Sequence, residues 1–206
     1  VNFREEATTV FKQIHDSSAW QSSSKSGPGS TLSATARLRA ELPNLFYTLG
    51  IRTLVDVPCG TAEWITTITN DLDWYHGSDI VPDLVEAAKA RVKRNNHTFS
   101  VLDIVSDVPP QADAIFCRDC LVHLPFEAGL KAIENFKASG STYLLTTTFT
   151  HLEENKDTTI GPWRPLNLQI KPFDFPPPER IVFDRPTTPN DPYADKAIGV
   201  WRLADL

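Results

Sequence analysis

Leu54-Val55-Asp56-Val57-Pro58-Cys59-Gly60-Thr61-Ala62-Glu63-Trp64 decides the fold, because an apolar run passes through an acidic residue into a proline and a glycine. The run predicts a buried strand entering a tight loop, where Gly60 lets the backbone turn sharply against a ligand. Nineteen residues beyond Gly60, His76-Gly77-Ser78-Asp79-Ile80 ends a second strand-like segment on a carboxylate. That is about the spacing at which a ribose is bound. The loop has neither the G-x-G-x-x-G spacing of a dinucleotide site nor a Walker Lys-Ser/Thr, so a pyrophosphate or triphosphate is poorly provided for. A nucleoside cofactor without phosphates fits better, and S-adenosylmethionine is the common one.

Outward from this stretch, strands and helices alternate. Residues 53–57, 74–80, 98–103, 112–117 and 142–149 read as strands, and 61–70, 82–94 and 126–139 as helices, with Pro82 suited to a first turn. The alternation implies an α/β fold with a doubly wound, mostly parallel sheet. Upstream, residues 2–20 and 32–49 have helical spacing, and Gly50 ends the second segment. Between them Ser26-Gly27-Pro28-Gly29-Ser30 predicts a mobile or ligand-covering loop. Downstream, 151–178 break the pattern, yet Trp163-Arg164-Pro165-Leu166-Asn167-Leu168 and the Pro/Phe run after it are too rich in apolar side chains for a disordered linker. Residues 179–183 and 197–203 read as closing strands. The expected organisation is a single domain over 1–206, with a helical cap and loop at 1–49, a cofactor-binding core at 50–149, an insertion over the site at 150–178 and closing strands at 179–206.

A chain of 206 residues that is 41% hydrophobic can bury a real core. Its formal net charge is −6, and its densest basic run, residues 89–94, reads as the solvated face of a helix, so nucleic acid is not an expected partner. Three cysteines make no disulfide framework, and Cys117-x-x-Cys120-x-x-His123 lacks the second Cys/His pair of a zinc site. No metal is expected. No apolar run approaches the ~18 residues of a membrane span. The chain opens on Val1 and has no methionine, the pattern of a chain from which an initiator, or a longer leader or anchor, has been removed. A cytoplasmic location is expected, or the secretory pathway if an anchor was lost, and the oligomeric state is open.

Over residues 50–206 the order of segments resembles the class I S-adenosylmethionine-dependent methyltransferases. The pieces that carry the resemblance are Leu54-Val55-Asp56-Val57-Pro58-Cys59-Gly60, Gly77-Ser78-Asp79-Ile80, Val101-Leu102-Asp103-Ile104, and Ala112-Asp113-Ala114-Ile115-Phe116-Cys117-Arg118-Asp119-Cys120-Leu121-Val122-His123-Leu124. The whole chain is similar to a poorly characterised branch of that superfamily. The resemblance implies a Rossmann-like sheet of about seven strands with an antiparallel C-terminal strand, an N-terminal helical cap, and S-adenosylmethionine lying across the carboxyl ends of the first strands. The departure is in the loop, which holds one glycine where families with a fuller motif have two or three.

On this resemblance Asp56, Pro58, Cys59 and Gly60 receive the methionine end of the cofactor, Asp79 accepts both ribose hydroxyls, and Asp103 takes the adenine amino group. Ile80 and Ile104 sandwich the ring, and Cys117 at the end of the fourth strand is a further cofactor-binding candidate. A helical Asp119 to Leu124 segment would let Asp119 and His123 share a face and hydrogen-bond, making His123 a candidate general base beside Arg118. Trp20, Trp163, Arg164 and Asn167 are candidates for an aromatic wall and polar clamp around the acceptor, as for a sugar ring. His15, His76, His97 and His151 read as surface or structural. The implied function is O-methylation of a small hydroxylated molecule or a glycan. The alternatives are an N-methyltransferase acting on a small molecule or protein, and a non-catalytic module that binds S-adenosylmethionine.

Overall fold

The computed structural model describes residues 2–17, 26–184 and 191–206. Helices α1 (Phe3–Asp16) and α2 (Ala36–Leu49) precede the sheet. There follow β1 (Thr53–Asp56), β2 (Trp74–Asp79), α3 (Pro82–Arg91), β3 (His97–Val101), β4 (Ala114–Cys117), α4 (Phe126–Ala138), β5 (Tyr143–Phe149), β6 (Arg180–Phe183) and β7 (Lys196–Arg202). The seven strands lie in the order β3-β2-β1-β4-β5-β7-β6. All run parallel except β7, which pairs antiparallel with both β5 and β6. This is the Rossmann-like sheet with one reversed strand near its C-terminal edge that the sequence predicts.

Side-chain alternation explains why the sheet is covered on both faces. Leu54, Ala114, Phe116, Leu145, Ile198 and Val200 point into one apolar cluster with Leu38, Leu42 and Phe46 of α2. Val55, Ile115, Cys117, Leu144 and Trp201 point into the other, against Ala128, Ala132 and Phe136 of α4. Each strand carries alternate residues for opposite layers, so a slip of one residue would exchange the two faces.

Two local expectations fail. Residues 61–70 do not form a helix but turns around a single 3₁₀ turn, Ile65–Thr67. Ala62 has φ +51°, outside helical range, and the hydroxyls of Thr66 and Thr67 donate to the carbonyls of Ala62 and Trp64. Such local bonds offer the backbone an alternative to a continued helix. The Asp119 to Leu124 segment is likewise not α-helical. Asp119 has φ +53°, and only Leu121–His123 form a 3₁₀ turn.

The strand order reverses between β1 and β4, the place where an open α/β sheet binds ligands at its carboxyl edge. The residues that follow β1, β2, β3 and β4 converge there. Among the described residues no helix is long and apolar enough to cross a membrane.

Candidate active site

A cavity of about 530 Å³ opens at this switch point. It falls within the usual range for a small-molecule site. Asp56, Pro58, Cys59, Gly60, Asp79, Ile80, Asp103 and Ile104 line one end, and Arg118, Asp119, His123, Trp163, Asp184 and Lys196 the other. Residues 26–30 and α1 also contribute to the wall.

At the first end Asp79 is buried at the tip of β2. Its Oδ2 accepts from Gly60 N at 3.0 Å and its Oδ1 from Val81 N at 2.9 Å, which holds the carboxylate in one orientation. Burial lifts its pKa to about 6 against those two donors. Asp56, one strand away, is lifted to about 7 by burial even though Tyr75 Oη donates to it at 2.6 Å. The partner of Asp56 is thus Tyr75 rather than the N–H groups of the following loop. Gly60 is required for two reasons. Its φ is +53°, and a Cβ there would lie 2.1 Å from Ser26 Oγ. The close approach is made by Ser26, whose Oγ also accepts from Thr61 N at 3.0 Å. Asp103 lines the cavity, with its carboxylate oxygens taking Val105 N and Ser106 Oγ and facing Arg4 of α1.

At the other end four charges interlock. Arg118 Nε and Nη2 grip the carboxylate of Asp184 at 3.0–3.2 Å. Lys196 Nζ bridges Asp184 at 2.8 Å and Asp119 at 2.7 Å, and Arg118 Nη1 lies 3.3 Å from Asp119. Burial opposes ionisation of Asp119, but Arg118 and Lys196 outweigh it and hold the carboxyl below the usual carboxylate range. Arg118 also donates to Gly29 O at 3.0 Å, so the 26–30 loop is tied to both ends of the cavity.

His123 Nδ1 lies 2.7 Å from Gly161 O and not against Asp119. The expected Asp119–His123 hydrogen bond is replaced because the missing helix removes their shared face and Lys196 takes Asp119. A carbonyl can only accept, so Nδ1 carries the hydrogen and Nε2 carries the lone pair of the neutral ring. Burial lowers the His123 pKa, which favours that neutral ring. Phe11 of α1 packs edge-on against it.

Three expectations are corrected by position. Arg164 gives its guanidinium to the carbonyls of Leu121, Leu124 and Lys156. Asn167 bonds Leu152 O and Asn155. Arg164 ties residues 151–178 to the body of the protein, Asn167 ties that segment to itself, and neither lines the cavity; buried carbonyls of an irregular segment need such donors. Cys117 is buried in the sheet behind the cavity wall. Trp163 does line the cavity, 40% exposed and packed edge-on to Tyr193 and Phe149. Trp20 lies outside the described residues. Asp184 and Lys196 were not foreseen, and His15, read as surface or structural, lines the cavity. The first two flank the β6–β7 hairpin, where Asp184 N donates to Lys196 O, and only strand pairing brings them to Arg118.

Residues 54–139 match the family model described as a methyltransferase domain. Over that stretch, a little under half of the chain, the sequence is similar to a methyltransferase domain. No curated protein matches the chain in sequence. Among solved structures, the chain is similar to the methyltransferase domain of bacterial CtHen1 in two crystal structures. Identity to the first is 13%, with 56% of this chain and 66% of that one covered at a TM-score of 0.51. For the second the identity is 13%, the coverage 60% and 72%, and the TM-score 0.50. Magnesium protoporphyrin IX methyltransferase from Synechocystis, solved with S-adenosylhomocysteine, is 18% identical over 74% of this chain and 63% of that one, at a TM-score of 0.46. At these identities the likeness is one of fold, and the match spans about two thirds of the first of these chains.

S-adenosylmethionine is the cofactor of this domain class. The first end of the cavity fits it. The oriented carboxylate of Asp79 can accept ribose hydroxyls on its remaining lone pairs, and Asp56 supplies negative charge where the loop meets β1. Leu102, Ile104, Val81 and Leu84 add apolar side chains to the lining.

Proposed function

We propose that the chain transfers the methyl group of S-adenosylmethionine to a hydroxyl of an uncharged small molecule or sugar, with His123 as general base. The carrying observation is the His123 Nδ1 contact with Gly161 O inside the cavity that also holds Asp79. When bound, the cofactor supplies a methyl carbon activated by a sulfonium. The protein has to orient the acceptor, exclude water and take a proton. Nε2 of His123 is the atom suited to take it.

The acceptor class follows from charge. Arg118 and Lys196 are already paired with Asp119 and Asp184, so the four formal charges cancel and a charged acceptor would meet no unmatched partner in that cluster. A neutral polyol needs none, and the exposed face of Trp163 suits the C–H face of a sugar ring. Asp56, Pro58, Cys59, Gly60, Asp79, Asp103, Ile80 and Ile104 form the cofactor side of this reading.

The test is a panel of hydroxylated, sugar and amine acceptors with labelled cofactor, run beside His123→Gln and Asp79→Ala. His123→Gln should keep cofactor affinity and lose turnover by about 10²–10⁴-fold. Asp79→Ala should lose binding of S-adenosylhomocysteine. Methylation confined to amines, or full turnover by His123→Gln, would refute the proposal.

A further inference from the structure

Of the four interlocked charges, one stays open to the cavity. The side chains of Asp184, Arg118 and Lys196 are 2%, 6% and 10% exposed, whereas that of Asp119 keeps 24% of its surface and lines the cavity at the end that holds His123 and Trp163. Lys196 and Arg118 both approach its Oδ2. Among the described residues Oδ1 meets only the Thr147 hydroxyl, at 3.4 Å. That is beyond the roughly 2.5–3.0 Å of a well-made O–H···O bond.

The backbone presents this carboxylate at a cost. Two residues past β4, Asp119 has φ +53°, in the left-handed region that residues other than glycine seldom adopt, and its N–H donates to Thr147 Oγ1 of β5 at 2.8 Å. Strained conformations of this kind gather at functional sites, where the surrounding structure holds them. Arg118 and Lys196 keep the carboxyl ionised despite its depth in the fold. An ionised carboxylate only accepts, so the group it takes from a ligand must be a donor, and a hydrogen bond to a charged partner is stronger than one between neutral groups. Asp119 is also near enough to act electrostatically on His123, so one small acceptor can meet both.

We propose that Asp119 is an acceptor-binding residue whose carboxylate takes a hydrogen bond from a second hydroxyl of the acceptor and so turns the reacting hydroxyl towards His123. This rests on the hydroxyl-methylation reading of the site and narrows it to polyols. A mono-alcohol gains nothing from Asp119, and an ether or ketone oxygen in that place would set lone pairs against lone pairs. The proton of the reacting hydroxyl still goes to Nε2 of His123. Asp119 selects and orients, while Arg118 and Lys196 hold it charged.

The experiment measures kcat/KM with labelled S-adenosylmethionine on methyl hexopyranosides and on their monodeoxy derivatives, with calorimetric titration of S-adenosylhomocysteine alongside. It uses the intact chain, Asp119→Asn, which tolerates the left-handed φ, and the charge-balanced Asp119→Asn/Lys196→Gln. In the intact chain, loss of one hydroxyl other than the methylated one should lower kcat/KM by about 10- to 100-fold. Both variants should be slower on the parent sugar and should lose most of its advantage over that deoxy derivative, with affinity for S-adenosylhomocysteine unchanged. The double variant leaves Arg118 and Asp184 as a matched pair, so the result stands even where the single variant fails to fold. An intact chain indifferent to every such deoxygenation, or variants that lose the same factor on parent and deoxy sugars, would overturn the assignment. So would weakened S-adenosylhomocysteine binding in the variants, which would put Asp119 on the cofactor side. If the intact chain binds S-adenosylhomocysteine yet methylates no sugar hydroxyl, the sugar reading of the acceptor falls and the Asp119 assignment falls with it.

Discussion

Asp56 and Asp79 sit at the ends of neighbouring strands, both buried, and no ion pair holds either of them among the described residues. Burial lifts their pKa values to about 7 and about 6, from an ordinary value of 3.8. The folded chain therefore keeps protons that the unfolded chain has already released. Between about pH 4 and pH 7 the folded state binds more protons, so unfolding free energy should fall as pH rises through that window and then level off. Urea unfolding at a series of pH values should show the decline. Asp56→Asn, which still offers Tyr75 Oη an acceptor, should flatten it. The same ionisation favours a ligand that carries an ammonium and ribose hydroxyls. Affinity for S-adenosylhomocysteine should thus increase with pH across about 5.5 to 7.5, less steeply in Asp56→Asn, as read by calorimetry.

Among the elements, the 26–30 loop has the sharpest geometric constraint, because Ser26 lies on the face of Gly60 that any larger residue would fill. Gly60→Ala has two costs, a left-handed φ of +53° and a collision with Ser26. Together these should destabilise the chain by about 2–4 kcal/mol. Adding Ser26→Gly should recover the steric part but not the backbone part, and thermal melts of the single and double variants separate them. The elements also show where sequence reading succeeds. The strands were legible because apolar alternation and strand order are imposed by a sheet buried on both faces, and Asp79 was legible as a strand-end carboxylate because one crossover joins β1 to the parallel β2. Residues 61–70 misled because their apolar spacing is helical while threonine hydroxyls and a positive φ at Ala62 decide otherwise. Arg164 and Asn167 misled because a polar residue beside a tryptophan reads the same whether it faces a ligand or its own backbone.

At the scale of the whole molecule, the Arg118–Asp184–Lys196–Asp119 cluster joins the switch point of the parallel sheet to the hairpin at its far edge. The residues at its two ends are separated by more than sixty positions of sequence, and only the antiparallel return of β7 brings them together. No local pattern could have announced it. Asp184 bonds both cations and is almost wholly buried. Removing its charge strands Arg118 and Lys196 beside a single carboxylate, Asp119. Breaking a buried pair in this way typically costs about 3–5 kcal/mol, while replacing both partners costs far less. Asp184→Asn should therefore lower the urea midpoint strongly, and so should Lys196→Met. The double variant, which restores neutrality, should lose clearly less than the sum of the two. The deficit should change little with added salt, because buried charges are poorly screened. A double variant that is simply additive would mean that Asp184 and Lys196 act independently, and that the hairpin is held to the sheet by its apolar face alone.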